Sequence, residues 1–95
     1  MFVLHIELKA KPGLQQALER IYLEKFRPAI SVQDGFSAAQ LLRSNDDSEN
    51  YRLSLAFDHQ ASQQKWVATE LHQEVWPAVA NQCAEFSVQG YTAVE

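Results

Sequence analysis

Residues 51–57, Tyr51-Arg52-Leu53-Ser54-Leu55-Ala56-Phe57, carry a large apolar side chain at every second position. Strict alternation of this kind marks a half-buried strand. Upstream lies a wholly polar stretch, Ser44-Asn45-Asp46-Asp47-Ser48-Glu49-Asn50, and before it residues 36–43 read as another strand. Two strands around one polar loop form a hairpin. Further back, Phe2, Leu4, Ile6 and Leu8 alternate with Val3, His5, Glu7 and Lys9, and Lys11-Pro12-Gly13 ends the run. Between that strand and the hairpin, Leu14, Ala17, Leu18, Ile21, Tyr22 and Phe26 recur at three and four, the period of an amphipathic helix. Pro28 is expected to end or loosen it near Phe26-Arg27.

Downstream of the hairpin, Asp58 is the expected N-cap of a second helix marked by Ala61, Trp66, Val67 and Leu71. Pro77 belongs in a helix's first turn, so a break is expected near His72-Gln73, with a separate short helix to about Gln82. Phe86 to Val94 reads as the last strand. The order is β-α-β-β-α-β, which predicts one α+β domain over residues 1–95: a ferredoxin-like four-stranded antiparallel sheet with helices on one side.

Alternation also assigns faces. Phe2, Leu4, Ile6, Leu8, Phe36, Tyr51, Leu53, Leu55, Phe57, Phe86 and Val88 are expected under the helices. The opposite face is expected to hold Val3, His5, Glu7, Ser37, Ala39, Leu41, Arg43, Arg52, Ser54, Ala56, Ser87, Gln89 and Tyr91. A chain of 95 residues buries only about 60–65% of its unfolded surface, so a partner helps. The expected partner is a second copy, packed sheet to sheet as a homodimer. His5, with Glu7 or Arg52 as neighbours, reads as an interface residue; Arg43 and Arg52 read as structural ion-pairing groups, and His59 as exposed.

Composition excludes several classes. A net charge of -4, with eight scattered Lys and Arg, argues against nucleic acid. No apolar run approaches the roughly 20 residues of a membrane span, and Met1-Phe2-Val3-Leu4-His5 lacks the basic start of a signal peptide. Cys83 stands alone, a pattern that fits a reducing, cytoplasmic setting and a buried structural thiol. His5, His59 and His72 are not at metal-ligand spacing, and Asp46, Asp47 and Glu49 lack that of a calcium loop. No glycine-rich phosphate loop occurs, so no cofactor or metal is expected.

Several segments, in their order and spacing, resemble the antibiotic biosynthesis monooxygenase family of the dimeric α/β-barrel superfamily. They are Phe2-Val3-Leu4-His5-Ile6 leading to Lys11-Pro12-Gly13, a helix, Gly35-Phe36, Tyr51-Arg52-Leu53 reaching Phe57, Trp66 nine residues later, and Glu70-Leu71-His72. The resemblance implies a homodimeric barrel with a pocket in each subunit between the helices and their sheet face. It implies oxidation of quinols or phenols by O₂ without flavin or metal; a neighbouring branch degrades haem.

Trp66 matches the pocket tryptophan of both branches. Six positions on, the phenol-oxidising branch has a tyrosine, where this chain has His72. The haem-degrading branch needs a first-strand asparagine, here Ile6, and a histidine about ten positions past the tryptophan, here Trp76. Haem degradation is therefore disfavoured.

The expected activity is a cofactor-independent monooxygenase acting on a small aromatic phenol or quinol. Trp66 shapes the pocket and His72 is the expected base, its ordinary pKa of about 6.5 suiting that task. Ile6, Tyr22, Phe26, Tyr51, Phe57 and Trp76 are the candidate lining, each with plain core packing as the competing reading. Two other readings stay open: a non-catalytic protein binding a small hydrophobic molecule, and an isomerase or cyclase using His72 without O₂.

Overall fold

The first strand, β1 (Phe2–Ala10), lies inside the sheet because both its neighbours pair with it antiparallel. β3 (Asn50–Phe57) flanks it on one side, with Ile6 opposite Leu53, and β4 (Cys83–Thr92) on the other, with Ile6 opposite Val88. β2 (Phe36–Arg43) pairs with β3, completing the order β2-β3-β1-β4. The computed structural model describes residues 1–95. Its extents of 35 × 30 × 18 Å fit two layers, one sheet and one set of helices. The expected ferredoxin-like α+β arrangement is the one found.

The first helical run is continuous: α1 (Gln15–Ile21), a π turn (Tyr22–Phe26) and α2 (Arg27–Ser31). Its large buried residues Leu18, Tyr22, Phe26 and Ile30 fall at every fourth position, with Ala29 buried beside the last. On a helix of 3.6 residues per turn such a stripe drifts around the axis. The wider π turn takes up the excess and keeps all four against the sheet. Arg27 N–H donates to the Tyr22 carbonyl, five residues back. Pro28 thus loosens the run without ending it.

The second helix breaks earlier than expected. α3 (Gln60–Val67) stops at Ala68-Thr69, and α4 (Glu70–Ala80) runs on through Pro77. Thr69 caps α4, its Oγ1 accepting the backbone N–H of His72 at 3.1 Å. Pro77 removes the intrahelical partner of the Gln73 carbonyl. Gln73 and Pro77 are both exposed, so water can serve that carbonyl, while buried Val75 and Val79 hold the helix down on either side of the proline. The break also changes phase, and leaves Leu71 partly exposed. Asp58 is not the cap either: His59 occupies that position. The Asp58 carboxylate instead accepts from the Ser62 hydroxyl at 2.6 Å and the His59 backbone N–H at 2.7 Å.

One face assignment fails. The β2–β3 register slips between Phe36 and Ala38, a β-bulge. Beyond it the side chains of β2 change sides. Ala39, Leu41 and Arg43 pair with Leu55, Leu53 and Tyr51 and so lie on the helix side; Ala38, Gln40 and Leu42 take the open face. Arg43 accordingly bonds Glu19 of α1 at 2.8 Å. On the open face Arg52 pairs with Glu7, and the His5 ring lies 5.0 Å from that of Tyr91. No element of this chain covers that face.

Gly35 closes the approach to β2 at φ +78, and a Cβ there would overlap Asp58 Oδ1 and lie 2.5 Å from Ser62 Oγ. Left-handed backbone and contact with a bonded carboxylate act together. Gly35→Ala is expected to cost about 1–3 kcal/mol, read as a lower urea midpoint at unchanged slope. An unchanged midpoint would contradict this account.

Candidate functional site

Where α3 hands over to α4, the helices stand off the sheet and leave a cavity of about 190 Å³. Leu4, Ile6 and Leu55 from the sheet, with Phe86 and Val88 of β4, give it apolar walls. Trp66, His72, Trp76 and Phe26 supply the rings. Gln63, one helical turn before Trp66, is the only uncharged polar side chain on the wall, and His72 the only ionisable one.

Trp66 faces the core because the α3 residues around it, Lys65, Val67 and Gln64, are exposed and the indole takes the one fully apolar bearing. It is 2% exposed. Phe26 meets it edge-on at 6.1 Å, and the His72 imidazole at 5.1 Å and 86°. The break at Ala68-Thr69 makes this second contact: the cap starts α4 afresh and puts His72, its third residue, over the indole. Burial holds the His72 pKa below its ordinary value, so the ring is neutral at pH 7. Trp76 packs edge-on against Phe86 at 5.2 Å.

Of the residues singled out from sequence, Ile6, Phe26, Trp66, His72 and Trp76 come together here. Tyr22, Tyr51 and Phe57 do not. Tyr22 and Tyr51 border a separate cleft of about 360 Å³ with Glu19, Leu41 and Arg43. There the Tyr51 hydroxyl donates to Glu19 at 2.5 Å, and burial followed by that bond pushes the phenol up to about 12. Burial likewise raises Tyr22, whose hydroxyl has no partner within the chain. Phe57 is fully buried against Phe36. Gln63 and Val67 were not anticipated; the three-residue step from Gln63 to Trp66 was the available signal.

No three His, Cys, Asp or Glu side chains gather in a way that could hold a metal ion. Asp47, in the hairpin tip, spends its carboxylate on Glu49 N–H and the Asn50 amide, both at 3.0 Å. Cys83 is buried, its thiol raised by burial. No helix is long and apolar enough to cross a membrane.

The family model for antibiotic biosynthesis monooxygenase matches residues 1–77. No curated protein matches the chain. Among solved structures, a Nitrosomonas europaea protein assigned to antibiotic biosynthesis monooxygenases superposes with a TM-score of 0.86 at 19% identity, covering 100% of both chains. A Bordetella bronchiseptica protein with the same assignment gives 0.86 at 20% identity, over 99% of this chain and 98% of its own. SnoaB, a cofactor-independent oxygenase from Streptomyces nogalater, gives 0.86 at 16% identity, over 99% and 94%. Likeness at these identities speaks for the fold.

Proposed function

Because this chain belongs to the antibiotic biosynthesis monooxygenase family, we propose that it oxidises a small phenol or quinol with O₂ in the cavity beside Trp66, without a resident cofactor. The single observation that carries this reading is the pairing of an aromatic-walled cavity with one ionisable group, His72, set edge-on to the indole. A cofactor-independent oxygenase among the structural neighbours supports it.

The volume narrows the substrate. At about 190 Å³ the cavity is smaller than the roughly 300–1,000 Å³ of common ligand pockets. One or two fused rings suit it better than four. The flat ring lies against Trp66, and His72 meets its oxygen. The deprotonated substrate gives one electron to O₂; the radical pair joins as a C–O bond, and the O–O bond then breaks. A phenol and O₂ become a quinone and water, with no outside reductant. The aromatic wall holds the ring in place.

A second copy covers the open sheet face in this proposal. Half-exposed Leu42 and Tyr91 and the small side chains between them support it, as does the short chain. Light scattering should give twice the monomer mass; a stable monomer at micromolar concentration would contradict it.

The deciding experiment is oxygen uptake with a panel of naphthols and naphthoquinols. Protein-dependent uptake, one O₂ per quinone formed, is expected. Tight binding with no uptake above autoxidation would favour the binding protein instead.

A further inference from the structure

Resting on that oxygenase reading for its ligand, we infer that Gln73 is a positioning residue that fixes His72 as a hydrogen-bond donor, so that the cavity takes the anion of an acidic phenol or hydroxyquinone. Gln73 Nε2 lies 2.9 Å from the Val67 carbonyl oxygen. A carbonyl only accepts, so the amide end beside it is the NH₂; turned over, two acceptors would face each other. Val67 sits in the last turn of α3, where carbonyls lack intrahelical partners, and this is what holds the Gln73 amide in place.

The same nitrogen lies 3.4 Å from His72 Nδ1. An amide NH₂ has two hydrogens, one for Val67 and one for the ring. A ring nitrogen that faces a donor must accept. Nδ1 is therefore bare, and the neutral imidazole carries its proton on Nε2. A protonated Nδ1 would oppose the amide, so the contact also resists the imidazolium. Thr69 anchors the backbone of His72, and the Trp66 indole fixes its ring from the edge.

With Nδ1 occupied, Nε2–H is the atom left for a ligand in the cavity that His72 borders. An N–H there favours an oxygen that accepts, and an anionic oxygen most, since charge-assisted bonds are roughly twice as strong. The substrate hydroxyl loses its proton to water before binding; the ring gains and loses none. This donor role replaces the base expected for His72 from the sequence. Among phenols and quinols it favours those with the more acidic hydroxyl.

The test is ring-nitrogen NMR of the full chain labelled in histidine, with His72 assigned by its loss in His72→Gln. Expected is a pyridine-type Nδ1 and a pyrrole-type Nε2 at neutral pH. Gln73→Glu sets an acceptor beside Nδ1, reversing that pattern. It should also weaken binding of the 2-hydroxy-1,4-naphthoquinone anion, followed by Trp66 fluorescence, tenfold or more. A proton on Nδ1 in the unaltered protein overturns the inference even if the variant fails to fold. So does a reversed tautomer with unchanged binding. The spectra need no turnover: the expected tautomer in a protein that consumes no oxygen would sink the oxygenase reading and leave this one standing.

Discussion

Trp66→Ala is expected to lower the free energy of unfolding by about 3–5 kcal/mol. The indole is 2% exposed and is the largest fully buried side chain. Its removal leaves Phe26 and His72 facing a void, and the adjoining cavity means the loss is not made good by collapse. Domains of this kind are stable by only about 5–15 kcal/mol in all. The variant should therefore show a large drop in urea midpoint. Trp66→Phe separates packing from ligand contact: most of the stability should return, while affinity for a flat ring stays reduced. A Trp66→Ala loss below about 1 kcal/mol, small beside ordinary core truncations, would mean the indole is not the keystone of this layer.

His72→Ala is expected to reduce kcat/KM by roughly 10–10²-fold, the loss of one hydrogen bond to a charged group worth about 1.5–3 kcal/mol. Folding should be nearly unaffected. Thr69 caps α4 through the backbone N–H of residue 72, which alanine retains. The loss should fall on KM more than on kcat, because the anion is bound before reaction and its charge leaves the ring as O₂ is reduced. A kcat/KM within about twofold of the parent would remove His72 from the site, since a hydrogen bond to a charged group is worth more. The lowered pKa adds a check on stability. As pH falls below about 6.5, the unfolded chain takes up a proton that the folded ring still refuses. Stability from this site is full above that pH and declines through the lowered folded pKa; His72→Ala should flatten that decline.

The strands and the helical faces were legible because their apolar contrast is strong. Tyr51, Leu53, Leu55 and Phe57 against Arg52, Ser54, Ala56 and Asp58 leave one reading of β3. Trp66 and His72 were singled out by the family resemblance; their contact was not legible, because it depends on the helix break at Ala68-Thr69. Less was visible where side chains are small. The bulge falls at Ser37, beside Ala38 and Ala39, where no apolar contrast marks the slipped phase, and so Ala39, Leu41 and Arg43 were assigned to the wrong face. Pro77 misled for a different reason. A local rule forbids it inside a helix, but burial of Val75 and Val79 outweighs one lost bond whose carbonyl reaches water. Gln73 gave no signal, because an exposed glutamine matters only through the atoms it reaches.

By itself the chain determined the order of its elements, the period of each, and hence one sheet roofed on one side by helices, since hydrophobic spacing is a local property. Only the tertiary structure decided which rings share a cavity. Tyr22 and Phe26 are neighbours on one helical run, yet Phe26 reaches Trp66 while Tyr22 joins Tyr51 and Glu19 in another cleft. A π turn, a bulge and a cap each rotate the next stretch of backbone by a fraction of a turn, and such rotations come from packing against distant residues.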